Sequence, residues 1–197
     1  MIYATMVGVM AKIVRNIKDD DLVLRAKTDS NALAELYELY YERIFRFCVH
    51  RLFYREIAED VTSIVFLEVA RKIRGFRGET DQDFRNWVYT IAVNQTNAYI
   101  RKSLRRRRLL AKAADSLAGP PENDDGSPKL DWPRLYAAIV KLKPQHQTIV
   151  TLRFFENLPF EQIAQILDIT QSTARVTMHR VLNKLRKTLQ NSFEGEL

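Results

Sequence analysis

Eleven of the chain's 31 basic residues fall in two runs that contain no acid. Residues 101–108, RKSLRRRR, hold six of them, and residues 169–190 hold Arg175, Arg180, Lys184, Arg186 and Lys187. These eleven charges exceed the net +7 of the whole chain, so the remainder of the protein is mildly acidic. Cations gathered into two patches on an acidic background suit a polyanion, most simply nucleic-acid phosphate. One basic helix end alone is explained equally well as a solvated surface that complements the helix dipole. Two such runs in separate parts of the chain favour nucleic acid.

The second run also has a pattern. Ala174, Met178, Val181, Leu185 and Leu189 recur at helical spacing and predict a core-facing stripe. The opposite side carries Ser172, Arg175, Val176, His179, Arg180, Asn183 and Lys187. An Arg fork pairs with guanine, and an apolar side chain meets a thymine methyl, so this face has the chemistry for reading base edges in a major groove. Just upstream, Pro159 suits a first helical turn, Asp168 tolerates the left-handed conformation, and Thr170 is an N-cap. Helices over Pro159–Leu167 and Gln171–Leu189, joined by about three residues, form a helix-turn-helix. Two more are expected over Trp132–Leu142 and Pro144–Phe155.

Four helices are expected earlier in the chain. Asp19, Asp20 and Asp21 mark the start of the first, and Ser30 caps a second over Asn31–Leu52. A third runs over Arg55–Ile73 and a fourth from Gln82 into the Arg105–Arg108 run. The third is apolar around much of its circumference. Ile57, Val61, Ile64, Val65 and Glu68 form its inner face, while Phe66, Leu67 and Ala70 point elsewhere. Such a helix is either central in its own domain or covered by another protein. On the fourth, Trp87 falls on the core stripe of Phe84, Val88 and Ile91, and Tyr89 is available for stacking.

Between these groups lies 113–131, AADSLAGPPENDDGSPKLD, with three of the six prolines, two of the six glycines and a net charge of −4. It reads as a flexible linker. The expected fold is therefore all-α: two small helical domains joined by a flexible linker, the C-terminal one with a helix-turn-helix. The expected boundaries are an N-terminal extension (1–18), a first domain (19–112), the linker (113–131) and a second domain (132–191). No Gly or Pro occurs between Gly8 and Gly75 or between Gly78 and Gly119, which disfavours a many-stranded fold.

Cys48 is the single cysteine and His50, His146 and His179 are scattered, so neither a metal site nor a cofactor is expected. No apolar run is long enough to span a membrane. The apolar start, MIYATMVGVMAKIV, lacks a basic beginning and is broken by Lys12, unlike a signal peptide. A cytoplasmic protein is expected. Metal-dependent nuclease or recombinase chemistry needs clustered carboxylates. Here the acids sit mostly at a helix start, as Asp19 to Asp21, or in the linker, as Glu122, Asp124 and Asp125, so no enzyme is expected.

The stretch LPFEQIAQILDITQSTARVTMHRVLNKLRKTL, Leu158–Leu189, resembles the minus-35-binding helix-turn-helix of sigma-70 family transcription initiation factors. AEDVTSIVFLEVAR and FRGETDQDFRNWVYTIAVNQTNAYIRK resemble that family's polymerase-binding and minus-10-binding regions. The two-domain layout resembles the extracytoplasmic-function (ECF) group, over about residues 19–190. The resemblance implies a bacterial subunit that brings core RNA polymerase to promoters. By it, Asp60, Ser63, Phe66 and Leu67 would dock on the clamp helices of the largest polymerase subunit. Arg77, Arg85, Asn86, Asn94, Asn97 and Arg101 would hold the melted minus-10 strand, and Ser172, Arg175, Val176, His179, Arg180 and Lys187 would read the minus-35 duplex. An anti-sigma factor is a further implied partner. The sequence departs from the family pattern at Ser63 and Ile64, where Gln-Glu is common, at Ala98 for Asp, at Asp168 for Gly, and in a longer loop before Phe84. The competing reading is a two-domain helix-turn-helix regulator that works without polymerase.

Overall fold

The computed structural model describes residues 20–113 and 132–194, and every regular element among them is helical. The N-terminal extension and all but the first residue of the linker lie outside these residues. The chain packs as two compact units.

The first unit is built on α1 (20–25), α2 (Ser30–Leu52), α3 (Arg55–Lys72) with a 3-10 turn Ile73–Gly75, and α4 (Asp81–Ala113) as far as Thr96. Asp29, not Ser30, caps α2, because its carboxylate accepts from the Asn31 N–H at 2.9 Å. Phe53 ends α2 in the left-handed conformation (φ 63°), and its N–H reaches the Val49 carbonyl. Leu36, Tyr40, Ile44 and Phe47 of α2 are fully buried with Val65 of α3 and Phe84, Val88 and Ala92 of α4. Each large side chain removed from water in this way stabilises the unit by about 1.5–3 kcal/mol. Edge-to-face ring contacts join α2 to α4, Tyr40 with Phe84 at 5.1 Å and Phe47 with Tyr89 at 5.6 Å.

One polar knot ties three helices. The Tyr40 hydroxyl donates to the Asp81 carboxylate, while the Asp81 N–H at the start of α4 donates to Asp20 of α1 at 2.6 Å. Burial, then the Asp81 charge, pushes the Tyr40 hydroxyl far above the usual phenol range, so it stays a donor. Arg51 is also buried, and burial lowers its guanidinium to about 10, still charged at neutral pH.

Three readings of α3 and α4, those of Phe66, Ile64 and Tyr89, are corrected by the packing. Phe66 is buried, because the rings of Tyr37 and Tyr41 from α2 close over it at 4.8 and 6.2 Å. Ile64, expected inside, is exposed, and Glu68 pairs with Lys72 at 2.8 Å and Arg71 at 3.1 Å. Thr62 takes an inner position because its hydroxyl is satisfied by the Ala58 carbonyl at 2.7 Å. Tyr89, expected to be open for stacking, is buried against Phe47. Trp87 is half-buried, its ring stacked on Phe76 at 4.6 Å.

The second unit contains the rest of α4, α5 (Trp132–Val140), α6 (Pro144–Val150), a π turn (Thr151–Phe155), most of α7 (Phe160–Leu167) and α8 (Gln171–Glu194). Pro144 opens α6 at its first turn. Gln147 is buried and spends its amide on the carbonyls of Val140 and Leu142, which covers the open end of α5. The single helix expected over Pro144–Phe155 is interrupted. Thr148 and Thr151 turn their hydroxyls back onto the carbonyls of Pro144 and Gln147, which loosens the ladder before it widens to the Glu156 N–H to Thr151 C=O bond. Ile149, Leu152 and Ile163 are fully buried, with Ala174, Met178, Val181 and Leu185 of α8.

Candidate nucleic-acid interfaces

The turn between α7 and α8 follows from its residues. Asp168 adopts φ 52°, the Ile169 N–H returns to the Ala164 carbonyl at 3.0 Å, and the Thr170 hydroxyl accepts from the Thr173 N–H at 3.1 Å. These bonds set the rotation of α8. Its predicted core stripe is buried as far as Leu185, with Leu189 half-buried. Ser172, Arg175, Val176, His179, Arg180 and Lys187 are all exposed, Val176 to 49%. The structure thus brings the whole predicted set together on one open helical face. Asn183 lies against His179 Nδ1 at 3.3 Å. Arg175 is held as well, its guanidinium over the Phe160 ring at 5.2 Å.

The other candidate set is spread along α4 and the loop before it. Asn94 and Arg101 are exposed, Asn97 is half-buried, and spacings of three and four put them on one stripe. Arg85 and Asn86 are half-buried two turns and more upstream. Arg77 is exposed on the loop 76–80.

That loop has a built shape. The Asp83 carboxylate accepts from the N–H groups of Thr80 at 3.1 Å and Glu79 at 3.2 Å, and the Thr80 hydroxyl accepts from the Asp83 N–H at 3.1 Å. This is a reciprocal capping box with Asp in the third position. The Thr80 hydroxyl first, with the backbone N–H groups, holds the Asp83 carboxyl below its ordinary 3.8. Gly78 packs so closely on the box that an added Cβ would strike the Phe76 ring and come within 2.5 Å of Cβ of Asp83. Phe76 has little room to yield, being stacked on Trp87 with Lys27 at 5.7 Å.

Of the proposed docking residues on α3, Asp60, Ser63 and Leu67 are exposed, Leu67 to 57%, with Ile64 beside them. Phe66 lies beneath that surface. The sequence reading missed Gly78, Thr80, Asp83, Phe76 and Phe160. The Thr-x-x-Asp spacing behind a rare glycine was a usable signal for the first three, whereas nothing in the pattern pointed to Phe160. Among the described residues no cluster of His, Cys, Asp or Glu fit to hold a metal occurs, and no helix is long and apolar enough to cross a membrane.

Comparisons with known proteins agree on one family. Residues 36–108 match the model of Sigma-70 region 2, and residues 138–187 match that of Sigma-70, region 4. The chain is 31% identical over 162 residues to the RNA polymerase sigma factor CarQ of Myxococcus xanthus, covering 81% of this chain and 90% of that one. It is 28% identical over 169 residues to the RNA polymerase sigma factor YlaC of Bacillus subtilis, covering 84% and 96%. Among solved structures, the fold is similar to that of the sigma factor RpoE in complex with the anti-sigma factor NepR from Bartonella quintana. The TM-score is 0.61 at 18% identity, over 80% of this chain and 96% of that chain.

Proposed function

The chain belongs to the sigma-70 family, in its ECF group, and is a polymerase-associated transcription initiation factor, so we propose that its two units act on different forms of promoter DNA. The region-4-like domain, residues 132–191, reads the minus-35 duplex through Ser172, Arg175, Val176, His179, Arg180 and Lys187. The region-2-like domain, residues 19–112, holds the opened minus-10 strand through Arg77, Arg85, Asn86, Asn94, Asn97 and Arg101. The observation that carries this division is chemical. The open face of α8 offers forked cations on a helix of major-groove width, while that of α4 offers amides beside cations, suited to splayed bases and a single-stranded backbone.

Docking on the clamp helices of the largest polymerase subunit falls to Asp60, Ser63 and Leu67 on α3, with Phe66 as the support beneath them. The factor acts in the cytoplasm, where polymerase is. An anti-sigma protein is its regulator, a reading supported by the NepR complex of a chain with this fold. Sigma factors are not an enzyme class, and no catalytic step is assigned.

Permanganate footprinting of unpaired thymines on a promoter identified by sequencing transcripts after overexpression tests the division. Asn94→Ala with Asn97→Ala is expected to leave promoter binding by the polymerase complex intact and to weaken strand opening. Opening equal to that of the parent would remove the amides of α4 from the reading and leave the minus-10 contacts to the Arg77–Phe84 loop.

A further inference from the structure

We infer that Phe160 is a positioning residue for sequence readout, acting through Arg175; this rests on the proposal that α8 reads the minus-35 duplex. The ring stands at the first turn of α7, outside the recognition helix. Two guanidinium groups converge on it, Arg153 at 5.0 Å and Arg175 at 5.2 Å from the centroid. Their situations differ. Arg153 is half-buried and donates from Nη1 to the Leu158 carbonyl at 3.0 Å, which ties it to the turn that leads into α7. Arg175 is exposed on the open face of α8. Phe160 therefore links an anchored cation to a working one.

A solvent-exposed Arg loses rotamer freedom when it reaches a base, and that loss opposes binding. A guanidinium already drawn over a ring has lost part of it before DNA arrives. The attraction of a cation to a ring face uses charge and leaves the N–H donors available, so the fork remains able to pair with a guanine edge. The turn adds rigidity, since Asn157 holds φ 54° and the Leu158 N–H returns to the Leu152 carbonyl at 3.0 Å.

The test uses the full chain assembled with core RNA polymerase and a library of promoter duplexes randomised across the minus-35 segment. The readout is the base preference selected at each position. Arg175→Ala is expected to erase preference at one position, by about fivefold or more. Phe160→Leu is expected to lower preference at that same position by about two- to fivefold, the size of an exposed cation–ring contact, and to leave the others unchanged. Phe160→Tyr, which keeps the ring, restores the parental profile. Arg153→Met, which leaves the ring in place but removes its anchor, shifts the profile in the same direction as Phe160→Leu and serves if that variant folds poorly.

Loss of the position in Arg175→Ala but not in Phe160→Leu or Arg153→Met would overturn the positioning role and leave base readout standing. A uniform loss of affinity in Phe160→Leu, with every preference retained, would reduce Phe160 to a packing residue and overturn the inference. Should Arg175→Ala itself change no preference, the readout by Arg175 fails, and the role of Phe160 with it.

Discussion

Helices α3 and α8 each bury one side and offer the other, yet what they offer is opposite in kind. The open side of α8 is mostly charged and polar, with Val176 and Leu182 the exposed apolar residues, and no acid occurs anywhere from Gln171 to Gln190. The open side of α3 sets Ile64 and Leu67 among Glu59, Asp60 and Ser63. A face of the first kind gains most from contact with phosphate and base edges, where long-range attraction guides encounter. A face of the second kind gains from losing water, because large apolar side chains are already exposed and the flanking acids set orientation. On the proposed reading, the same element type serves a nucleic acid in one unit and a protein in the other.

The contrast is broken most severely at neighbouring positions of α3. Phe66→Asp puts an unpaired charge beneath Tyr37 and Tyr41 and is expected to cost about 3 kcal/mol or more of stability, read by urea denaturation. Leu67→Asp, one residue on, changes stability by only about 0.5 kcal/mol but weakens binding to core polymerase. If Leu67→Asp binds core polymerase as tightly as the parent, α3 is not the docking face.

On α8, Arg180→Ala is expected to lose about 1–3 kcal/mol against the preferred duplex and much less against others. Lys187→Ala should weaken all duplexes alike and flatten the salt dependence of binding by about one counterion. Equal, sequence-independent losses in both variants would make α8 a phosphate-binding surface only.

The loop before α4 sharpens the comparison, because its shape comes from packing rather than from a helical face. Gly78→Ala forces the loop off the Thr80–Asp83 box and should cost about 1–3 kcal/mol by overpacking, with impaired strand opening and unchanged duplex binding. Acid acts on the same box. A carboxyl held below its ordinary value stabilises the fold above the unfolded pKa of 3.8, and that contribution is lost as pH falls through the lowered one. Amide resonances of Glu79 and Thr80 should therefore keep their native positions at pH 5 and move only below about pH 4.

The smallest expected effect has the opposite sign. Asp168 occupies a left-handed position where glycine is free of the Cβ penalty, so Asp168→Gly should stabilise the second unit by about 0.5–1 kcal/mol, read as a higher Tm, without altering the face of α8.

The two helices also differ in how far a linear pattern reveals them. On α8 the apolar residues other than Val176 and Leu182 keep to one stripe and the cations to another, so periodicity identifies Ala174, Met178, Val181 and Leu185 as core. On α3 the apolar residues surround the axis. Which of Ile64 and Phe66 goes inside is decided by Tyr37 and Tyr41, which lie on another helix and leave no trace in the period of α3. The same limit hid Tyr89, whose partner Phe47 is 42 residues away. Turn chemistry is local, and Asp168 and Thr170 were readable from their neighbours alone. The π turn was not, since back-bonding threonines are compatible with an unbroken helix as well.

The knot of Tyr40, Asp81 and Asp20 has a consequence for the order in which the protein acquires its structure. The Asp81 N–H is bonded to a residue 61 positions earlier and its carboxylate to one 41 positions earlier, so the first unit closes only when the start of α4 has been made. Through most of its synthesis, then, α3 emerges with apolar surface on every side and no α4 to help cover the core beside it. The bonds that fix the helix-turn-helix span only three to five residues, and that element closes as soon as it emerges. A newly made chain is therefore most exposed to aggregation before Asp81 arrives, in the unit whose open face is proposed to meet a partner.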